Sequence, residues 1–358
     1  MLVAFWYCPV GLAIRVRCGA THTFADVEKA ATSIATFYGA RGVRVVPDRH
    51  NISDVTITVQ TRDPLEDRRP IPWPVQIQSR SLWDSIAFGL DEYGREHSIT
   101  LPGHHCLIGG ESGGGKSVAV SLLTIAAALS TDAALHIIDG KQIDLTDFEP
   151  VADQFAGADV ADAIRVLEKV RGIMDGRYRE LRAAGQKKVR RDDGHRLHLV
   201  IVDELHFFSA APDRKQRTAF NGLLRDLLAR GRAAGITVVC ATQKPSADTV
   251  PTNIRDLIQY RFALRCATPQ ASDTVLGAGS VVDASTIPGG QPGLGYLATE
   301  GDAPARIRSF YVDENDLERI VDPQRHRPQR PRVLAGARAR HRRRSRTRKP
   351  PSRGSSRR

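Results

Sequence analysis

The residues of this 358-residue chain best equipped for chemistry are a lysine and a serine that close a run of glycines. Gly110, Glu111, Ser112, Gly113, Gly114, Gly115, Lys116 and Ser117 fit the spacing G-x-x-x-x-G-K-[ST] of a phosphate-binding loop. Polyphosphate binding needs this order. Glycines let the backbone curl until several N–H groups converge on phosphate oxygens. A helix that starts where the loop ends adds its unpaired N–H groups and partial positive charge. Lys116 is then placed to reach the β- and γ-phosphates of ATP, and the Ser117 hydroxyl to ligate Mg²⁺. So short a pattern also arises by chance in glycine-rich turns. Its flanks argue against chance: Cys106, Leu107 and Ile108 read as a buried strand, and Val118, Val120, Leu122, Leu123 and Ile125 as a buried helix.

A second set of reactive groups closes another apolar run, where Leu197 to Val202 ends in Asp203 and Glu204. Buried strands often end in acids for no chemical reason. Downstream of a phosphate loop, however, the first acid is placed to hold the Mg²⁺ shell and the second to take a proton from the attacking water. Gln243, at the end of the run Ile236–Ala241, is placed to sense the γ-phosphate or orient that water. Taken alone it is an ordinary polar strand end.

The elements that must carry these groups alternate between strand and helix. Ala134 to Asp139 reads as a strand, followed by Asp139-Gly140-Lys141. A long helix spans Asp162 to Gly185 with Ile164, Leu167, Val170, Met174, Tyr178 and Leu181 on one face, and Glu168, Lys169, Arg171, Arg177 and Arg179 on a solvated one. Further strands are expected at Tyr260–Cys266, Leu294–Ala298 and Ile307–Tyr311. Such alternation implies an α/β fold with a mostly parallel, buried sheet flanked by helices. The nucleotide belongs at the carboxyl ends of its strands.

Upstream lies a smaller α/β unit. Ala13–Cys18, Val43–Val46 and Val55–Val59 read as strands, and a capping box at Thr23 and Asp26 opens a helix that Gly39 stops. Pro64, Pro70, Pro72 and Pro74 mark an irregular crossing, and Gly89 and Gly94 read as turns. The expected division is 1–60, a small α/β subdomain; 61–100, linker and lead-in; 101–322, the P-loop domain; and 323–358, a disordered basic tail.

The formal net charge of +12 is unevenly spread. Fifteen of the 52 Lys and Arg lie after residue 322, with no acid among them, which leaves 37 basic against 40 acidic residues in the body. A tail so rich in Arg, Pro and Ser cannot bury enough surface to fold. It would attract a phosphate backbone without reading sequence, or merely solubilise. The five scattered cysteines include no C-x-x-C pair and read as free thiols of a reducing cytoplasm. The apolar start MLVAFWYCPVGLAI is too short to span a bilayer and lacks a basic lead, so it reads as a truncated or late beginning.

These blocks together resemble the FtsK/SpoIIIE family of DNA-pumping motor ATPases. The resemblance runs in order through HHCLIGGESGGGKSV, IMDGRYRELRAAG, LVIVDE, GRAAGITVVCATQKPS and RFALRC…SDTVLGAG…GLGYL, over about residues 12 to 320. Chromosomal members usually carry Asp-Pro-Lys where this chain has Asp139-Gly140-Lys141, which is more similar to the conjugative-transfer branch of actinomycete plasmids and integrative elements. The family's membrane spans are not found, nor is a winged-helix module after Glu318. The resemblance implies a RecA-like P-loop domain that assembles as a homo-hexamer around double-stranded DNA, in the cytoplasm, with a membrane-anchored partner recruiting it to the inner face of the cell membrane. ATP would then sit between subunits, completed by a neighbour's arginine, for which Arg232, Arg261 and Arg265 are candidates. The expected function is an ATP-dependent double-stranded DNA translocase, acting in conjugative or mobile-element transfer or in chromosome segregation. The alternatives are an ATP-binding nucleic-acid accessory protein with little motor activity and a secretion-type ATPase of the same superfamily.

Overall fold

A small antiparallel sheet and one helix build the amino-terminal layer. β1 (Leu2–Cys8) and β2 (Gly11–Arg17) form a hairpin, α1 (Phe24–Phe37) follows, and β3 (Gly42–Pro47) and β4 (Asp54–Gln60) complete an antiparallel sheet of order β1-β2-β4-β3. Thr23 and Asp26 make the expected capping box, with the Asp26 carboxylate accepting from the Thr23 backbone N–H at 2.8 Å. The apolar start is thus an edge strand, a role that its lack of polar alternation concealed. The computed structural model describes residues 2–322 apart from Pro9, Ala20, Arg49 and residues 75–79. The basic tail therefore lies outside the described residues.

Runs that are apolar on both faces dictate the larger sheet. In chain order its elements are β5 (Ile86–Asp91), β6 (Glu96–Ile99), β7 (Cys106–Gly109), α2 (Lys116–Ala128), β8 (Ala133–Asp139), β9 (Gln154–Ala156), α3 (Val160–Ala183) and β10 (Leu197–Asp203). Then come α4 (Leu205–Ser209), α5 (Arg214–Arg230), β11 (Ile236–Thr242), α6 (Thr252–Arg255), β12 (Tyr260–Leu264), α7 (Pro269–Leu276), β13 (Leu294–Ala298), β14 (Ala305–Ser309) and α8 (Glu314–Val321). The ten strands are ordered β6-β5-β14-β13-β12-β7-β11-β10-β8-β9. From β12 to β9 neighbours run parallel, and from β12 to β6 they run antiparallel. Every residue of β8, β10 and β11 is buried, as a sheet covered on both faces requires. One core lies under α2 and α8, and the other under α3, α5 and α7. This is the α/β architecture expected from the alternation of elements, in the RecA-like form that the family resemblance implies.

Three local expectations are corrected. Within the stretch read as linker and lead-in, β5 and β6 extend the large sheet by pairing with β14. Gly89 is no turn residue: it lies inside β5, where a Cβ would collide with the backbone at Arg308. Arg177 is no solvated charge but is buried, donating to the Ala234 carbonyl at 2.6 Å and to that of Arg196. Its place three residues after Met174 and four before Leu181 puts it on the apolar face. Among the described residues no helix is long and apolar enough to cross a membrane.

The amino-terminal end of the sheet holds a buried imidazole pair. His136 Nε2 of β8 and His198 Nδ1 of β10 are 2.8 Å apart, and the rings stack. Burial pushes His136 down to about 4 and His198 down to about 3. Asp153 opposes the shift at both rings, while Arg196 assists it, as do Lys169 at His136 and Arg177 at His198. The unfolded chain, with imidazoles near 6.5, binds protons that the folded one refuses. Stability should therefore fall as pH drops from about 6.5 towards 4, by about 2 kcal/mol per imidazole at pH 5. Urea melts at pH 7 and pH 5 measure this, and His198→Gln should flatten the dependence. An unchanged slope in that variant would assign the acid sensitivity elsewhere.

Candidate nucleotide site

The carboxyl ends of β7, β8, β10, β11 and β12 meet at one edge of the sheet, and the loop Gly110–Gly115 curls there between β7 and α2. Its glycines answer to close packing. Gly115 caps α2 with a left-handed backbone (φ 95°), and a Cβ there would strike the backbone of Gly293. A Cβ on Gly110 would come within 2.7 Å of the Leu264 Cβ. The loop is thus wedged between the end of β12 and the Gly289–Gly293 turn, and the Gly293 N–H donates to the Gly114 carbonyl at 2.9 Å.

Lys116 is buried and its ammonium pairs with the Asp203 carboxylate, which is equally buried. Burial pushes the Asp203 carboxyl up, against the opposing pull of Lys116. The other Asp203 oxygen is buried without a hydrogen-bond partner among the described atoms. The Ser117 hydroxyl donates to Asp144 Oδ2 at 2.9 Å, and Lys141 Nζ lies 3.1 Å from the same oxygen. Burial raises the Asp144 carboxyl, but Ser117 and Lys141 outweigh it and hold the group below its ordinary range. The Ser117 hydroxyl with its Asp144 partner, and the nearby Asp203 carboxylate with one unpartnered oxygen, are oxygen donors of the kind that suit Mg²⁺.

Glu204 follows directly and adopts a left-handed backbone (φ 52°), uncommon for a residue with a side chain. Its carboxylate accepts from the Thr242 hydroxyl at 3.2 Å and from the Gln243 backbone N–H at 3.4 Å. Gln243 thus reaches Glu204 through its main chain. Asp139 is structural: it accepts from the N–H groups of Lys141, Gln142 and Leu145 and shapes the turn that presents Asp144. Within that turn the Gly140 N–H donates to the Asp203 carbonyl at 3.2 Å, a bond no proline could make.

The three candidate arginines part company here. Arg265, just past β12, pairs with Glu111 of its own phosphate loop. Arg261 sits within β12, and burial, aided by nearby Arg255, pushes its guanidinium down. Arg232 is exposed before the amino-terminal end of β11, at the opposite edge of the sheet from Lys116. Asp144 and Thr242 were missed by sequence reasoning; neither sits in a recognisable spacing.

A RecA-like sheet with a phosphate loop, a buried Lys–Asp pair and a following glutamate defines a P-loop ATPase. The family model described as FtsK/SpoIIIE matches residues 73–282, more than half of the chain, and the chain belongs to that family. Its relatives include the DNA translocase FtsK of Staphylococcus epidermidis, 24% identical over 321 residues that cover 81% of this chain and 38% of that protein. The DNA translocase SpoIIIE of Bacillus subtilis is 25% identical over 238 residues, covering 61% of this chain and 29% of that protein. The chain spans about a quarter to two-fifths of the length of the curated relatives it matches. Among solved structures, the pCW3 conjugation coupling protein TcpA, a monomer form with ATPγS, superposes with a TM-score of 0.63 at 19% identity, covering 90% of this chain and 92% of that one. The cytoplasmic domain of the type VII secretion ATPase EccC of Thermomonospora curvata gives 0.55 at 23% identity, covering 70% of this chain and 31% of that one. At these identities the two structures speak to the fold alone.

Proposed function

We propose that this chain is the motor portion of an ATP-driven double-stranded DNA translocase. The observation that carries the reading is the meeting of Lys116, Ser117, Asp203 and Glu204 at one sheet edge in a chain of the FtsK/SpoIIIE family. Lys116 exchanges Asp203 for the β- and γ-phosphates when a nucleotide enters. Ser117 and Asp203, with Asp144 behind the serine, would hold Mg²⁺, which would neutralise phosphate charge. Glu204, fixed by Thr242 and the Gln243 main chain, accepts the proton of the attacking water. Gly110 to Gly115 supply the backbone cradle. The chains assemble as a homo-hexamer, and Arg232 or Arg261 is better placed than Arg265 to serve a neighbouring site, since neither lies against its own phosphate loop.

Family membership supports DNA as the substrate, and the 15 cations after residue 322 suit a phosphate backbone. Asp139-Gly140-Lys141, where chromosomal members usually carry Asp-Pro-Lys, favours conjugative or mobile-element transfer over chromosome segregation. A membrane-anchored partner would bring such a motor to the inner face of the membrane. The test is steady-state ATP hydrolysis with and without linear duplex DNA. Strong stimulation by duplex is expected. Hydrolysis indifferent to DNA would instead favour the secretion reading, and no hydrolysis the accessory one.

A further inference from the structure

A carboxylate inside a polyphosphate-binding loop is an electrostatic liability. Glu111, the second residue of the loop, lines the same cleft as Ser112, Gly113 and Gly114. The loop tolerates it through one contact: Arg265 Nη1 pairs with Glu111 Oε1. The backbone runs in parallel with that contact, since the Glu111 N–H donates to the Arg265 carbonyl at 2.8 Å. The Glu111 carbonyl in turn accepts from the Gly114 N–H at 3.1 Å. Opposite, a Cβ on Gly289 would lie 3.4 Å from Arg265 Nη1, so the guanidinium is confined between the loop and the Gly289–Gly293 turn. The side chains are 40% exposed for Arg265 and 29% for Glu111, so solvent screens the pair in part and leaves the Glu111 end the more sheltered.

The geometry points to Arg265 as a positioning residue that acts in cis: it neutralises Glu111 and holds the mouth of its own phosphate loop in a shape and charge that admit a nucleoside polyphosphate. This inference rests on the ATPase reading above. Unpaired, the Glu111 charge faces the incoming phosphates, while the backbone bond to the Arg265 carbonyl stays in place. Like charges a few ångströms apart at a part-buried site cost enough to weaken binding by roughly tenfold to a hundredfold.

Binding of a fluorescent ATP analogue with Mg²⁺ to the full chain tests this, with wild type, Arg265→Ala, Glu111→Gln and the double variant side by side. Arg265→Ala should weaken binding by tenfold or more. Glu111→Gln in the same chain should recover most of the loss, because the charge that needed neutralising is gone. The charge swap Glu111→Arg with Arg265→Glu should bind better than Arg265→Glu alone, which leaves two anions facing the phosphates. Loss in Arg265→Ala with no recovery in the double variant would overturn the inference, since Arg265 would then act on the nucleotide directly. Unchanged binding in Arg265→Ala would overturn it too. Mixing gives a second check. Lys116→Ala chains, which keep Arg265, should fail to restore hydrolysis to Arg265→Ala chains, and restoration would make Arg265 a residue of the neighbour's site. A wild-type chain that binds no analogue would sink the ATPase reading itself, a result distinct from all of these.

Discussion

Glu204→Gln should bind ATP within a few-fold of wild type and lose turnover by about a hundredfold to ten-thousandfold, the usual span for a missing general base. The argument is local. Thr242 and the Gln243 N–H both donate to the Glu204 carboxylate. A glutamine keeps an oxygen to accept both bonds, and its side chain is the same length. The left-handed backbone at φ 52° costs a glutamine no more than a glutamate. The carboxylate's ability to take a proton is what disappears. Single-turnover cleavage of ATP measures the chemical step, and fluorescent-analogue binding measures affinity. A loss of threefold or less in the first would remove Glu204 from the role. A parallel loss in the second would mean that the substitution had disturbed the loop and not the chemistry. With binding intact, the variant should also retain its nucleotide state on duplex DNA, which makes it a trap for any assembly that ATP promotes.

The parts of this site that were legible in the sequence are those whose signal is local. The phosphate loop announces itself because glycines, Lys116 and Ser117 must be contiguous. Asp203 and Glu204 could be read because the apolar run before them fixes where a buried strand ends. Asp144 and Thr242 could not, because their importance lies in partners far along the chain, 27 residues away for Asp144 and Ser117 and 38 for Thr242 and Glu204. Only the register of parallel strands brings them together. The choice among the three arginines could not be read for a related reason: the partner of Arg265, Glu111, lies 154 residues away in the chain. Arg177 differs, because its helical spacing already placed it between Met174 and Leu181. A prior that charges stay in solvent overrode that evidence. The β5–β6 hairpin was hidden by Gly89, which looks like a turn unless the close approach of β14 is known.

Lys116→Ala should abolish ATP binding and also destabilise the empty protein, and the two effects can be separated. Lys116 and Asp203 are paired and nearly inaccessible to solvent. Removing the lysine strands a buried carboxylate, a loss that typically costs about 3–5 kcal/mol. Burial already pushes the Asp203 carboxyl up, so the stranded group relieves part of this by taking a proton. The penalty should therefore be smaller at pH 5 than at pH 8, against the trend set by the imidazole pair. Adding Asp203→Asn removes the charge and should recover much of the melting temperature without recovering nucleotide binding. Saturating Mg²⁺–ATP should raise the melting temperature of wild type, as any ligand selective for the folded state must, and leave both variants unmoved. A Lys116→Ala protein still stabilised by ATP would show that the loop holds phosphates by its backbone alone. A double variant as unstable as the single one would show that the lysine stem packs the core and that its charge matters little. The pair satisfies two buried charges, and on the function proposed above a triphosphate would have to displace Asp203 from Lys116, a change that begins on β10 next to Glu204.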